Sequence, residues 1–258
     1  MEKQLISIIM AAYNAEEYIS DCIESVLSQS YSNWEFLICD DCSTDKTPLI
    51  IKDYQQRDTR IHLIENKCNL KAGASRNRCI SLSEGKYIVI QDADDISTED
   101  RLETLYTELM SSDVDFLSSG HYLFDENGKY KVNVPRVEFP EKKDFLFGIP
   151  FCHAATIFKK RCLQTVGGYR VSKETRRGQD YDLFMRLYAA GYHGRNIKNV
   201  LYGYRVDKNT IGRRKLEYRI DECKIRYKGF KSLGLLPRGL PYVVKPIAAH
   251  FVQLVKRR

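Results

Sequence analysis

The 258-residue sequence predicts an α/β protein with a mostly parallel central sheet, flanking helices and a basic helical extension at the C-terminal end. Three observations carry that expectation. Short isoleucine-rich runs alternate with helix-period segments as far as Ile90, acidic residues stand directly after two of those runs, and the positive charge is gathered at one end of the chain. Regular alternation of strand and helix is the signature of a parallel sheet covered by helices on both faces.

Residues 5–10 form a nearly continuous apolar run, which suits a strand buried on both faces. The run ends at Ala11-Ala12-Tyr13-Asn14, where Asn14 can cap a helix and Glu17, three residues on, completes a capping-box pattern. Tyr18, Ile19, Cys22, Ile23, Val26 and Leu27 then recur at helical spacing. Residues 34–39 repeat the strand pattern, Asp40-Asp41-Cys42-Ser43 follows as a loop, and Ser43 or Thr44 can cap a helix running to about Gln56. Residues 61–64 give a third strand, residues 73–83 a helix stopped by Gly85, and residues 87–90 a fourth strand. Ligands of such sheets collect at the carboxyl ends of the strands. That places Tyr13, Asp41 and Asp92-Ala93-Asp94-Asp95 along one crevice. Further on, Asp125-Glu126-Asn127-Gly128 between residues 122–124 and 129–134 signals a hairpin. Residues 151–158 read as a strand, 181–190 as a helix and 200–205 as a last strand.

A composition of 43% hydrophobic and 11% aromatic residues can bury one sizeable core. Residues 211–258 hold 13 Lys/Arg against 3 Asp/Glu, so this segment carries +10 and the remainder −3. A nucleic-acid binder more often stripes its basic residues beside aromatic platforms on the folded domain, so no nucleic-acid partner is expected. The eight cysteines lack the paired spacing of a zinc site, and Cys39 and Cys42 have no second pair, which suits reduced, cytoplasmic thiols. No N-terminal apolar run has the length of a signal peptide, and none reaches the ~20 residues of a membrane span. Residues 213–232 suit a basic helix with Leu216, Ile220, Cys223 and Tyr227 on one face. Residues 243–255 are mostly apolar and precede Lys256-Arg257-Arg258. This mixture fits an amphipathic helix on the anionic inner face of a membrane, at ~1 kcal/mol per nearby basic residue, or a helix packed on the domain.

Three carboxylates after a buried strand repel one another unless a cation shares them, and Mg²⁺ or Mn²⁺ held there keeps positions open for phosphate oxygens. The same residues could form a plain turn before a helix opened by Thr98. A carboxylate of Asp40-Asp41 could accept a hydrogen bond from a nucleobase, with Tyr13 stacking on it; each is also ordinary in a turn or at a surface. Arg76, in Arg76-Asn77-Arg78, can meet phosphate charge or belong to a solvated face. Asp180, in Gln179-Asp180-Tyr181-Asp182, can cap a helix or serve as the base that transfer to a hydroxyl requires. His153 is a core histidine or a second polar contact in the same cleft. P-loop and dinucleotide-binding patterns are missing.

Taken in order, the segments Ile6-Ser7-Ile8-Ile9-Met10-Ala11-Ala12-Tyr13-Asn14, Ile38-Cys39-Asp40-Asp41-Cys42-Ser43, Gly73-Ala74-Ser75-Arg76-Asn77, Asp92-Ala93-Asp94-Asp95 and Gly178-Gln179-Asp180-Tyr181-Asp182 resemble the inverting family-two glycosyltransferases of the GT-A fold. The match runs over roughly residues 5–205. It implies a catalytic domain over residues 1–210, with a nucleotide-binding half to about 95 and an acceptor half beyond, then the basic tail. It implies that Ala11, Tyr13 and Asp41 line the nucleobase site, with Arg76 and Asp92 also on the donor side. Asp94 would be the Mn²⁺ or Mg²⁺ ligand, Asp180 the catalytic base, and His153 and Gln179 acceptor contacts. The reaction implied moves one hexosyl group from a nucleotide-sugar donor, UDP by resemblance alone, to a hydroxyl of a glycan or lipid-linked glycan in bacterial polysaccharide assembly. Three positions depart from the family: Ala11 where Pro is frequent, Gln179 where an acidic residue often precedes the base, and Asp207 where a His often follows the last strand. A catalytically idle nucleotide-sugar binder would not need Asp180. A sugar-phosphate nucleotidyltransferase would need a Gly-rich, Arg-bearing first loop, which Ala11-Ala12-Tyr13-Asn14 is not.

Overall fold

The computed structural model describes residues 3–206 and 216–255. Asp207, the basic residues 213–215 and Lys256-Arg257-Arg258 lie outside the described residues. The first half runs β1 (Ile6–Ala12), α1 (Ile19–Leu27), β2 (Trp34–Asp40), α2 (Thr47–Arg57), β3 (Ile61–Glu65), α3 (Ala72–Leu82) and β4 (Tyr87–Ile90). The second adds β5 (Ile96–Ser97), α4 (Arg101–Met110), β6 (Phe116–Asp125), β7 (Gly128–Asn133), β8 (Thr156–Lys159), α5 (Lys160–Thr165), α6 (Gln179–Ala189), β9 (Gly194–Arg205), α7 (Leu216–Ser232) and α8 (Leu240–Val255).

The strands form one sheet in the order β3-β2-β1-β4-β8-β6-β9-β5, with β7 on β6. The block β3-β2-β1-β4 is parallel throughout, as the strand-helix alternation requires. Beyond β4 the sheet is continued by antiparallel β8, and β6 pairs β9 in parallel. Alternate residues of β1 feed opposite apolar layers. Ile6, Ile8 and Met10 pack with Ile19, Ile23 and Val26 of α1 and Leu102, Leu105 and Leu109 of α4. Ile9 joins Cys79 of α3, Phe116, Phe158 and Leu183, Phe184 and Leu187 of α6 on the other side. Each such side chain, fully buried, contributes roughly 1.5–3 kcal/mol. Gly85 ends the turn after α3 where it crosses β1; a Cβ there would sit 2.6 Å from Ser7 Oγ and 2.7 Å from the Leu5 carbonyl oxygen.

Three local expectations are corrected. Asn14 is not a helix cap: α1 begins at Ile19 after Tyr18, and Asn14 has φ 48. Its Oδ1 instead accepts from Thr44 N at 2.9 Å, while its own N–H donates to Ser43 Oγ at 2.9 Å. Ser43 and Thr44 are thereby used across the loops, and α2 starts only at Thr47. Residues 151–158 are not one strand, because a 3-10 turn at His153–Ala155 precedes β8. The expected apolar stripe of α7 is the outward side of that helix, with Cys223 half-buried against the domain. Leu216, Ile220 and Tyr227 are exposed, whereas Asp221, Ile225, Arg226 and Phe230 are buried. Gly229 sits so close to Met185 of α6 that a Cβ there would collide with Sδ, so α7 packs directly on that helix. Arg226 is accommodated in this face because Glu222 accepts from its Nε and the Leu146 and Tyr242 carbonyls accept from Nη1.

Candidate active site

The loops after β1 and β2 are joined backbone to backbone: Ala11 pairs with Cys39, and Asp41 N donates to the Ala12 carbonyl at 2.8 Å. Tyr13, beyond the strand, leaves 49% of its surface open, as a stacking platform requires. Asp41 is buried and accepts from Asn66 Nδ2 at 2.7 Å, Leu70 N at 2.8 Å and Lys71 N at 2.8 Å. A carboxylate has about four acceptor positions, so these three donors leave one unfilled. The three used positions hold the chain into α3, including Lys71 at φ 72. Neighbouring Asp40 accepts from Ser43 N at 3.0 Å, but its Oδ1 is buried without a partner.

The acidic turn after β4 is clamped from several elements. Gln91 Nε2 donates to the carbonyls of Asp92 and Asp95, and its Oε1 accepts from Arg101 Nη1 at 2.7 Å. Arg101, on the first turn of α4 and fully buried, also donates to Ser97 Oγ at 2.8 Å and to the Ile90 and Ala154 carbonyls at 2.7 Å each. It has no carboxylate partner among the described residues; its charge is spread over four neutral acceptors that join β4, the acidic turn and the turn bearing His153. From the far edge, Arg205 N donates to Asp95 Oδ1 at 2.7 Å and Arg205 Nε to the Asp94 carbonyl at 2.8 Å.

Within this frame the three carboxylates differ. Asp92 Oδ1 accepts from Arg76 Nη2 at 2.5 Å. Burial pushes the Asp92 carboxyl up, but Arg76, His153 and Arg101 outweigh it and leave it below the usual range. Asp94 is exposed and makes no ion pair among the described residues; burial of its surroundings and the Asp92 charge push it up. Asp95, buried beside both, is pushed up to about 8. No three His, Cys, Asp or Glu side chains converge into a ready cage among the described residues. The exposed Asp94 carboxylate beside crowded negative charge would fit a hard divalent cation only if phosphate oxygens and water supplied the remaining ligands.

Asp180 is the second residue of α6, and its Oδ1 accepts from Tyr181 N at 2.8 Å. It lines a cavity of about 490 Å³ together with Asp92, His153, Ser119, His121 and Tyr204. The structure therefore brings Asp92, Asp180 and His153 into one cleft, with Arg76 behind Asp92. Arg76 is buried rather than on a solvated face. His153 is pushed down to about 4 by burial and then by the Arg76 charge, so its ring is neutral near pH 7. Gln179 stands elsewhere. Its Oε1 lies 2.6 Å from where a Cβ on Gly73 would be, and it lines a separate cavity of about 310 Å³ with Leu70, Lys71 and Arg176, so it faces α3 and not the cleft of His153.

Arg101, Arg205 and the cleft residues Ser119, His121 and Tyr204 were not legible as site residues, since an arginine early in a helix or late in a strand is ordinary. Arg101→Met is expected to leave its four acceptors short of donors and to lower folding stability by about 2–4 kcal/mol. Urea denaturation checks this through a lower midpoint at an unchanged m-value.

The family model described as Glycosyl transferase family 2 matches residues 7–165. The protein named "Putative glycosyltransferase EpsE" of Bacillus subtilis (strain 168) is 38% identical over 250 residues, covering 96% of this chain and 89% of its own. An Escherichia coli protein, the UDP-Glc:alpha-D-GlcNAc-diphosphoundecaprenol beta-1,3-glucosyltransferase WfaP, is 29% identical over 239 residues, covering 90% and 88% of the two chains. Among solved structures, S. aureus TarS 1-349 in complex with UDP-GlcNAc superposes with a TM-score of 0.71 at 18% identity, covering 86% of this chain and 66% of that one. The mannosyltransferase PcManGT of Pyrobaculum calidifontis in complex with GDP-Man and Mn2+ gives 0.64 at 19%, covering 96% and 75%. These two share the fold, which is of GT-A type. With well over half its length matched by the family model, and a relative of that identity aligned almost end to end, the chain belongs to glycosyltransferase family 2.

Proposed function

We propose that this glycosyltransferase transfers a hexosyl group with inversion from a UDP-sugar to a hydroxyl of a lipid-linked glycan, with Asp180 as the base. The observation that carries the reading is that Asp180 and Asp92, 88 positions apart in sequence, line one cleft at the carboxyl end of the sheet. Tyr13, Ala11 and the remaining acceptor position of Asp41 take the nucleobase. Arg76 keeps Asp92 ionised beside the donor sugar. The Asp180 carboxylate removes the proton of the acceptor hydroxyl as its oxygen forms the new bond to the anomeric carbon and the bond to the diphosphate oxygen breaks. Attack from the side opposite the leaving group inverts that carbon. Asp94 would hold Mn²⁺ or Mg²⁺, which when bound neutralises charge on the leaving diphosphate.

Support for the donor comes from WfaP and TarS, named with UDP-Glc and UDP-GlcNAc, and support for the acceptor from the diphosphoundecaprenol in the WfaP name. PcManGT, named with GDP-Man, makes GDP-sugars the alternative to exclude. No helix among the described residues is long and apolar enough to cross a membrane. We assign catalysis to residues 1–210, and to residues 211–258 a contact with the anionic inner face of the cytoplasmic membrane, where a lipid-linked acceptor is presented. The test is a screen of UDP- and GDP-sugars with Mn²⁺ and membrane extract, following nucleoside diphosphate release and the anomeric configuration of the product by NMR. Release from one UDP-sugar with the opposite anomer in the product is expected. A product that retains the donor configuration overturns the mechanism, and release from GDP-sugars only overturns the donor.

A further inference from the structure

His153 meets the protein at one ring nitrogen: Nε2 lies 2.6 Å from Tyr169 Oη. Tyr169 is 1% exposed, and its hydroxyl has no other hydrogen-bond partner among the described residues. If Nε2 carried the proton and donated, the buried phenolic hydrogen would have no acceptor, an arrangement that costs the full desolvation of that group. The hydroxyl therefore donates to Nε2, and the single proton of a neutral imidazole must sit on Nδ1. Burial keeps the ring neutral. Nδ1 has no protein partner among the described residues and is absent from the buried unpartnered atoms, so it is open to the cleft that His153 lines.

The backbone of Tyr169 is fixed with equal care. Gly167 and Gly168 precede it at φ 70 and φ 65, both in the left-handed region. Asn77 of α3 then grips the residue on both sides, its Nδ2 donating to the Tyr169 carbonyl at 2.7 Å and its Oδ1 accepting from Tyr169 N at 2.7 Å. Arg186 of α6 holds the same turn by donating to the Val166 and Gly168 carbonyls. Asn77 is next to Arg76, so adjacent residues of one helix serve the two ends of the cleft: Arg76 pairs with Asp92, and Asn77 seats the tyrosine behind His153.

We propose that Tyr169 is a positioning residue that fixes His153 in the Nδ1-protonated tautomer, so that the ring presents one N–H to an oxygen of the acceptor sugar in the cleft shared with Asp180. The inference rests on the donor–acceptor reading above. Long-range 1H–15N NMR of histidine-labelled protein reads the tautomer without any turnover, and His153→Gln identifies which of the five histidine patterns belongs to this ring. The expected pattern is that of a neutral ring protonated at Nδ1, changing in Tyr169→Phe to a mixture or to the other tautomer. In steady-state assays each single variant should raise the acceptor KM about 10-fold, with the donor KM and kcat changed by less than about 2-fold. The double variant should be no worse than either single one. Protonation at Nε2 in the wild type, additive losses, or a rise confined to the donor KM would each overturn the proposal. A protein that turns over no donor sinks the transferase reading instead, and the NMR pattern still decides the tautomer.

Discussion

Asp180→Asn is expected to lower kcat by about 10³-fold while moving the donor KM by no more than about 2-fold. Asparagine keeps the shape of the side chain and can still accept from Tyr181 N, as Asp180 Oδ1 does at 2.8 Å, but it cannot take a proton. The second carboxylate of the motif is an internal control. Asp182 is buried and held by Arg170 at 2.6 Å and by Arg186 at 2.7 Å, so both of its oxygens are occupied by cations. It cannot approach an acceptor hydroxyl without breaking those pairs, and Asp182→Asn should appear as lost stability with kcat largely retained in the folded fraction. Near-wild-type kcat in Asp180→Asn would remove it as the base. A drop of similar size in Asp182→Asn at full folding would exchange the two assignments.

The residues that carry this argument were legible because they follow from local rules. A buried strand ends, an acidic residue follows, and the sheet topology gathers such ends; that logic reached Asp41, Asp92 and Asp94, while Asp180 was legible only as a helix-start carboxylate within the resembling motif. What stayed hidden depends on partners distant in sequence. Asn14 and Ser43 read as caps of their own helices, yet they bond to each other's loops across 29 residues, and no local pattern distinguishes the two uses. Arg101 reads as an ordinary helix arginine until four acceptors, one of them Ala154 O 53 residues away, close around it. The buried side of α7 stayed hidden for the same reason. An arginine counts as polar in a periodicity argument, but Arg226 is buried because Glu222 accepts from Nε and two carbonyls accept from Nη1 while its stem packs inward. The acceptor role of Gln179 comes from the resemblance alone, and its side-chain direction was not legible: successive helix residues point about 100° apart, which turns Gln179 toward Gly73.

Divalent cations are expected to bind this protein weakly alone and tightly with UDP, and Asp94→Asn should abolish the coupling between the two. The reason lies in how the acidic turn divides its charges. Asp92 is committed to Arg76, Asp95 faces Arg205 N, and only the Asp94 carboxylate is exposed without an ion pair among the described residues. One carboxylate is a poor site by itself; the diphosphate oxygens must supply the rest. Calorimetric titration of Mn²⁺ with and without UDP measures the coupling, and exhaustive chelation should reduce turnover by about 10³-fold or more. Protons compete for the same oxygen, so affinity should fall as pH is lowered through the raised Asp94 range. The stability of the metal-free protein moves the opposite way. Asp95 has its folded value raised from 3.8 to about 8, so the folded state binds more protons than the unfolded one between those limits. Its contribution is full below the lower value and is lost as pH rises to the upper one. Asp95→Asn should flatten that decline in a Tm series taken in chelator, and Asp94→Asn should leave the folded state at least as stable at pH 7, since it removes a repelling charge and breaks no ion pair among the described residues. Turnover undiminished after chelation, or UDP affinity unchanged by Mn²⁺, would free Asp94 from the metal role and leave the cluster as a turn held by Arg101 and Arg205.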